Sequence, residues 1–406
     1  MKKRFWLISE FYFPDENSTG HLLTQIAEGL AQTEEVHILC GRCVDRKSVT
    51  EKAVSIRNNV FIERVNSSGF NKDILLLRLI NIISLSIRIF FRLLLNLHRD
   101  DNVLVVTNPP ALPFMAALAC WMKHTVYSVL MFDLYPDVLV ATKILSEKNP
   151  FTIILRWMTN ILFRYSQHII VLGRDMSHRL SKKYSGTRDR IIVIPNWGDI
   201  DIITPQNIDQ NTILKELSIN DKFIVQYVGN IGRTHNVELL LECAELLKDK
   251  TDICFLFIGD GAKKKWLTES VKKRNFSNVI IRTYYSRERQ SDVHNACDIA
   301  VVSFIPAMAG ISVPSRIYNI MAAGKPILAI ADPESELTTV VQEENIGWVV
   351  TSYQAQDVVD VILSAMKNRT ALLEMGKRAR RATEEKYYFK RIIALYRNVL
   401  LNTMKD

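Results

Sequence analysis

Ala309-Gly-Ile-Ser-Val-Pro-Ser-Arg-Ile-Tyr-Asn-Ile-Met-Ala-Ala-Gly-Lys-Pro-Ile-Leu-Ala-Ile330 runs from a loop of small residues into a short helix and then into an apolar strand. Arg316 and Asn319 stand one turn apart at the helix start, and Gly324-Lys325-Pro326 ends the helix before Ile327–Ile330. Such an entry aims free backbone amides and a cation at one spot, as anion sites at helix N-termini do.

Outward from this stretch the chain alternates short apolar strands with helical segments. The first series of strands is Phe5–Ile8, Val36–Cys40, Val103–Val106, Val126–Met131, His168–Leu172 and Ile191–Ile194. The second is Phe223–Val228, Ile253–Ile258, Val279–Ile281, Ile299–Val302, Ile327–Ile330 and Trp348–Val350. Alternation of this kind predicts parallel sheets covered by helices, in two Rossmann-like domains in tandem. The turn-rich Pro195–Asp201 and Thr204–Asn207 segments mark a linker. We therefore expect an α/β chain with domains at 1–200 and 201–380 and a C-terminal helix over 381–406.

The 406 residues suit two domains, and 48% hydrophobic with 23% charged residues is a globular rather than a disordered composition. Six cysteines are few for the length and read as reduced thiols; Cys40-x-x-Cys43 has no second pair at zinc-like spacing. The N-terminus is expected to start the fold rather than to be a signal peptide, because only Phe5–Ile8 separates Lys2-Lys3-Arg4 from Ser9-Glu10. The net charge of +9 is concentrated in residues 1–200, where 25 Lys and Arg face 18 Asp and Glu. A positive half suits a membrane surface or a lipid diphosphate, and no nucleic-acid module is recognisable.

In Ile74–Leu97, 17 of 24 residues are apolar, with arginines interrupting the run, so it is not expected to span a membrane. As a helix it places Arg78, Asn81, Ser84, Arg88, Arg92, Asn96 and Arg99 on one stripe beside a wide apolar surface. It either packs deeply into its domain or lies in a membrane interface with its arginines toward head groups.

Ligands of open parallel sheets sit beyond the carboxyl ends of the strands. After the first strand, Phe13–Gly20 opens a helix; Gly20 would let an anion approach the backbone, or the segment is only a helix start capped by Ser18 or Thr19. After Phe223–Val228 comes Gly229-Asn230-Ile231-Gly232-Arg233-Thr234-His235, where Arg233 can offer paired donors to phosphate. Gly259-Asp260-Gly261 makes a third such turn. Asp133-Leu134-Tyr135-Pro136-Asp137 follows a strand of the first half, and Asp133 either contacts a sugar or acceptor hydroxyl or is a turn former.

Pro195-Asn196-Trp197-Gly198-Asp199, Tyr227-Val228-Gly229-Asn230, Gly259-Asp260-Gly261, Ala296-Cys297-Asp298-Ile299 and Met321-Ala322-Ala323-Gly324-Lys325-Pro326 occur in the order of family 4 glycosyltransferases. The chain resembles that family over essentially its whole length. Ser312-Val313-Pro314-Ser315-Arg316, Pro333-Glu334-Ser335-Glu336-Leu337 and the Gly229–His235 and Asp133–Asp137 segments resemble its WbuB-like subgroup. The resemblance implies a GT-B fold, two Rossmann-like domains facing across a cleft with the C-terminal helix returning to the first. It implies a retaining transferase that takes a sugar of the L-fucose or N-acetyl-L-fucosamine type from a UDP- or GDP-sugar to a polyprenyl-diphosphate-linked saccharide. The setting would be O-antigen, capsule or exopolysaccharide synthesis at the inner leaflet, in the cytoplasm.

Departures from the family pattern shape the candidate site. The positions of its paired glutamates hold Ile311 and Asn319, and those of its Arg and Lys on the donor diphosphate hold Asn230 and His235. Arg233, His235 and Asp133 are accordingly the catalytic candidates. Gly20, Gly229, Asn230, Gly232, Gly261, Ser315, Arg316, Asn319 and Glu336 are the donor-binding ones. No Asp-x-Asp pair stands where a metal would be useful, so transfer without metal or cofactor is expected. The rivals are a nucleotide-sugar epimerase of the same fold and a non-catalytic membrane-associated scaffold.

Overall fold

Residues 4–15, 17–42, 54–70 and 75–401 are described by the structure, a computed structural model. Cys43, Glu16 and Ile74 lie outside them. The chain divides into two units, Met1–Ile194 with Ile393–Asp406, and Pro195–Ile392.

Unit 1 opens with β1 (Arg4–Ser9), α1 (Ser18–Leu30), β2 (Glu35–Gly41), the hairpin β3 (Val54–Arg57) and β4 (Val60–Val65), and the long helix α2 (Leu75–Asn96). It continues through β5 (Asn102–Val106), α3 (Leu112–Lys123), β6 (Val126–Met131), α4 (Asp137–Ala141), α5 (Pro150–Tyr165), β7 (Ile169–Val171), α6 (Arg174–Lys183) and β8 (Ile191–Val193). The sheet order is β3-β4-β2-β1-β5-β6-β7-β8, parallel throughout except for β3 on β4. β1 and β5 are apolar on both faces and buried, as strands covered by helices on both sides must be.

Unit 2 contains α7 (Thr212–Glu216), β9 (Phe223–Val228), α8 (Val237–Leu246), β10 (Ile253–Ile258), α9 (Lys264–Lys273), β11 (Val279–Arg282), α10 (Gln290–Asn295) and β12 (Ile299–Ser303). It ends with α11 (Arg316–Ala322), β13 (Ile327–Ile330), α12 (Glu336–Glu343), β14 (Gly347–Val350), α13 (Ala355–Lys367), α14 (Arg369–Lys386) and the start of α15 (Phe389–Leu401). Its six strands are all parallel, in the order β11-β10-β9-β12-β13-β14. That is the doubly wound order, in which strand succession reverses between β9 and β12 and leaves a crevice beyond their carboxyl ends. Phe223, Val225, Phe255, Phe257, Leu240 and Val301 belong to its core.

Two expectations for the tail and the long helix change. The tail is two helices rather than one, broken where Tyr387 O accepts from Gly198 N (2.9 Å) and Tyr388 bridges Gly198. α14 stays in unit 2, its Gly376 so close to Gly324 that a Cβ there would stand 2.2 Å from the Gly324 carbonyl. From Ile393 the chain belongs to unit 1, where Asn102 Nδ2 donates to Leu400 O (3.0 Å) and Arg397 Nη2 to Gln32 Oε1 (2.7 Å).

The polar stripe of α2 runs beside its core face: Asn81 is buried, Ser84 half-buried, and Arg78, Arg88, Arg92 and Arg99 are exposed. Asn81 Oδ1 accepts from Ser68 Oγ (2.6 Å) and Phe70 N (2.9 Å), Ser84 Oγ accepts from Ser68 N (2.9 Å), and Arg88 Nη1 donates to Asn66 O (3.1 Å). Arg92 pairs with Glu63 at 3.2 Å. These side chains satisfy the backbone of the loop after β4, which no strand partner serves. Leu77–Asn96 is long and apolar enough to cross a membrane by length and composition. Here it is the crossover between the parallel strands β4 and β5, with Leu85, Ile89 and Leu93 buried.

Two buried imidazoles of unit 2 couple its stability to acid. Burial holds His294 down to about 4, and burial, then the charges of Arg316 and Lys263, holds His235 well below the ordinary histidine range. The unfolded chain therefore binds protons that the folded one does not, and stability is lost as pH falls below the unfolded value near 6.5. For His294 the loss reaches about 3 kcal/mol at pH 4. His294→Leu should flatten the decline of the thermal midpoint between pH 6.5 and 4, a change that a pH series of melting curves reads directly.

Candidate active site

The carboxyl ends of β9 and β12 define the crevice of unit 2. β9 runs out at Val228, and the chain turns at Gly229 with φ of +123°. The turn after β10 lies against it, backbone on backbone: a Cβ on Gly259 would stand 1.9 Å from the Gly229 carbonyl oxygen. At Gly261, φ is +148° and a Cβ would meet Asn230 Oδ1 at 2.4 Å and the Ile231 backbone at 2.7 Å. The Asn230 side chain also covers Gly232. Glycine is required at these contacts because any side chain would part the two turns.

Arg316 reaches this place from the first turn of α11. Its Nη1 donates to Val228 O (2.9 Å), and its guanidinium carbon lies 4.5 Å from the centre of the Tyr227 ring. Nη2 is buried and finds no hydrogen-bond partner among the described residues. A buried cationic donor without a partner costs free energy, which an anion at this position would recover. Ser315 precedes the helix without capping it through its side chain.

His235 packs on Phe304, ring centroids 5.3 Å apart and planes at 27°, and its Nδ1 lies 3.2 Å from Thr234 Oγ1. Buried and neutral, it can offer a ring N–H but no charge. Lys263, which sequence reasoning missed, donates to the His235 carbonyl (2.8 Å) and pairs with Glu238. Arg233 is exposed and engages none of the described residues, leaving its guanidinium available. If it serves the diphosphate, Arg233→Ala should lower turnover at least roughly tenfold, with the thermal midpoint unchanged; wild-type turnover would remove it from the site.

The loop leading to α11 is held by another residue that was not anticipated. Asp332 accepts from Ala307 N (3.0 Å) and Tyr353 Oη (2.9 Å) through Oδ1 and from Ala309 N (2.9 Å) through Oδ2. It stands just past β13, so reading every residue beyond a strand end would have found it.

Asn319 and Glu336 are less available than their positions suggest. Asn319 Oδ1 accepts from Asp199 N (3.3 Å), tying the segment after Pro195 to α11. Glu336 is buried in the first turn of α12, whose cap is Ser335, accepting from Thr338 N. Burial raises the Asp199 carboxyl. Among the described residues no group of three His, Cys, Asp or Glu side chains could hold a metal ion.

Gly20 and Asp133 lie in unit 1. The Gly20 amide already donates to Asn17 Oδ1 (2.8 Å), so Asn17 caps α1 rather than Ser18 or Thr19, and that N–H is not free for an anion. Asp133 is half-buried after β6; Thr107 Oγ1, beyond the neighbouring β5, accepts from Phe132 N (3.2 Å) and Asp133 N (3.4 Å). Burial, then the Asp133 carboxylate, raises the adjacent Tyr135 hydroxyl. Thus Gly229, Asn230, Gly232, Gly261, His235 and Arg316 come together around the unit 2 turns, with Arg233 at their edge.

Comparison with known proteins bears on the fold and the class of activity. Residues 209–382 match the family described as glycosyl transferases group 1. A probable glycosyltransferase WbjE of Pseudomonas aeruginosa is 28% identical over 349 residues, 85% of each chain. A putative colanic acid biosynthesis glycosyl transferase, WcaI of Escherichia coli K12, is 25% identical over 172 residues, 42% of each. Among solved structures, HepE of Anabaena in complex with UDP superposes with a TM-score of 0.74 at 13% identity, covering 98% of this chain and 100% of its own. The fold is that of the GT-B enzymes. With residues 209–382 matching glycosyl transferases group 1 and WbjE similar over 85% of its length, the chain is a glycosyltransferase.

Proposed function

We propose that the protein transfers a sugar from a UDP- or GDP-sugar to a polyprenyl-diphosphate-linked saccharide during the synthesis of a bacterial surface polysaccharide. The observation that carries the donor side is Arg316, half-buried against Val228 O and Tyr227, its buried Nη2 without a partner among the described residues, beside the Gly229 turn. The relative WcaI is described as a colanic acid biosynthesis enzyme, and HepE was solved with UDP, which favours this substrate class. The sugar would be of the L-fucose or N-acetyl-L-fucosamine type, as the WbuB-like segments suggest, and the protein would work in the cytoplasm at the inner leaflet.

Transfer would proceed with retention and without a metal. The acceptor hydroxyl oxygen bonds to the anomeric carbon on the face from which the diphosphate departs, and its proton passes to the leaving phosphate oxygen. Arg316, with Arg233 and the His235 N–H, would stabilise the negative charge that grows on the diphosphate. Ser315 and the turn glycines would line the donor, Asn319 or Glu336 its ribose, and Asp133 the acceptor hydroxyl.

Incubation with UDP- and GDP-sugars, with and without lipid extract, tests the reading. Nucleoside diphosphate released only when lipid is present supports it, and the anomeric configuration of the product decides retention. Sugar isomerised without acceptor would make the protein an epimerase; absence of nucleotide binding would make it a scaffold.

A further inference from the structure

Of the basic side chains Lys377, Arg378, Arg380 and Arg381 on α14, Arg380 is the one that turns toward α11. Lys377 and Arg381 pair with Glu374 and Glu385 at the surface, and Arg378 Nε donates to Asn345 O (2.6 Å). The Arg380 side chain is 19% exposed, and its Nε donates to Glu384 Oε1 (2.6 Å) one turn further along the helix. That contact sets the plane of the guanidinium, whose two terminal nitrogens go to three backbone carbonyls. Nη1 donates to Ala322 O (2.9 Å) and Ile203 O (2.8 Å), and Nη2 to Ile200 O (3.3 Å).

Ala322 is the last residue of α11, the helix that begins at Arg316. Its carbonyl would ordinarily accept from the residue four further on, but that residue is Pro326, which has no N–H, and Lys325 N is used by Ile320 O (3.2 Å). Arg380 serves it instead. The other two carbonyls belong to the segment that lies across α11. A Cβ on Gly198 would stand 2.4 Å from Tyr318 O and 2.8 Å from Thr383 Cγ2, so this segment is wedged between α11 and α14. Asp199 N donates to Asn319 Oδ1 (3.3 Å), and Ile203 packs with Ala322 and Ala323. One planar, forked cation thus ties the end of α11 and the 198–203 segment to α14 in a geometry that a single point charge could not reproduce.

α11 has seven residues and is about 10 Å long, so its two ends move as one body. At its start Arg316 is aimed by Val228 O and the Tyr227 ring. A shift at the Ala322 end would carry Arg316 off that carbonyl, and misplacing a group by about 1 Å can cost 100-fold in rate. We propose that Arg380 is a positioning residue for sugar transfer: it fixes the end of α11 so that the Arg316 guanidinium stays aimed at the donor diphosphate. The inference rests on the role given to Arg316 in the proposed function. A residue that only supported the fold would weaken nucleotide binding whether or not Arg316 is present, whereas one that acts through Arg316 weakens it only while that side chain is there.

UDP and GDP are titrated calorimetrically into the full chain, and the one that binds is carried through Arg316→Ala, Arg380→Ala and the double variant, with a melting curve for each. Arg380→Ala should weaken binding about tenfold, and the double variant should bind within about twofold of Arg316→Ala alone. Arg380→Lys keeps one donor for the Ala322 carbonyl and should weaken binding about threefold; it takes the place of Arg380→Ala in the cycle if that variant does not fold. With a UDP- or GDP-sugar and lipid extract, the turnover number of Arg380→Lys should fall by a larger factor than the donor KM rises, because the aim of the cation matters most as charge develops. Losses that multiply in the double variant, or Arg380 variants that bind and turn over as wild type does, would overturn the proposal. Wild-type binding by Arg316→Ala alone would remove the donor role of Arg316 and this inference with it, and that single variant shows the first failure apart from the second.

Discussion

Arg316→Ala is expected to lower the turnover number roughly 100- to 1,000-fold, the range found when a preorganised donor to developing negative charge is removed. Val228 O fixes one terminal nitrogen, the Tyr227 ring lies under the plane, and the other terminal nitrogen is buried without a partner. The guanidinium therefore needs little reorganisation when charge grows on a leaving diphosphate, and its contribution is larger in the transition state than in the ground state. Arg316→Lys should recover only part of the loss, because one ammonium cannot serve both Val228 O and a phosphate in the same planar geometry. Stability should change by no more than about 1 kcal/mol, since the variant loses one hydrogen bond and also a buried charge. Steady-state kinetics with the donor varied, together with melting curves, check both statements. A turnover number within a few-fold of wild type would place the diphosphate elsewhere.

Gly259→Ala should destabilise unit 2 by about 3 kcal/mol and abolish donor binding together with it. The clash is with backbone, the Gly229 carbonyl oxygen at 1.9 Å from the new Cβ, so no side chain can rotate aside. Relief would require the turns after β9 and β10 to separate, carrying Gly229 away from the Arg316 guanidinium, whose Nη1 lies 3.3 Å from where a Gly229 Cβ would stand. Gly186→Ala is the control. Gly186 has φ of +76° but open space around it, so its variant should lose only about 1–2 kcal/mol from the left-handed backbone. Denaturant titration separates the two; equal losses would mean that the turns are not packed as described.

Much of the fold was legible because strands covered on both faces are uninterrupted apolar runs. Val126–Met131, Phe223–Val228, Ile253–Ile258 and Ile327–Ile330 have the same bounds in the structure as in the sequence reading. The β3–β4 hairpin was not read. Its strands, Val-Ser-Ile-Arg and Val-Phe-Ile-Glu-Arg-Val, alternate with polar residues, and its turn is Asn58-Asn59, both at positive φ, without a glycine to announce it. The stripe on α2 was found by periodicity, but periodicity cannot say which side of a helix faces the protein. That side is Leu85, Ile89 and Leu93, with Asn81, Ser84 and Arg88 beside it serving the backbone of the loop at 66–70.

Within the site, the glycine turns and Arg316 could be read because strand ends and helix starts have local signatures. The contact that gives Arg316 its role is with a carbonyl 88 residues away, and no local pattern encodes it. The protonation state of His235 could not be read for a related reason: its neutrality comes from burial against Phe304 and from the charges of Arg316 and Lys263, all supplied by tertiary packing. Asn319 matched a ribose-binding position in sequence, whereas its acceptor oxygen is used by the Asp199 amide.

In the proposed function unit 2 holds a nucleoside diphosphate at the Gly229 turn through Arg316. Calorimetric titration of the wild-type protein and of Arg316→Ala with UDP and with GDP tests it most directly. Saturable binding of one of the two nucleotides to the wild type is expected, with an affinity at least roughly tenfold weaker in the variant, the loss of about one charge-assisted hydrogen bond. Binding of the same strength to both proteins, or binding of neither nucleotide to the wild type, would contradict it.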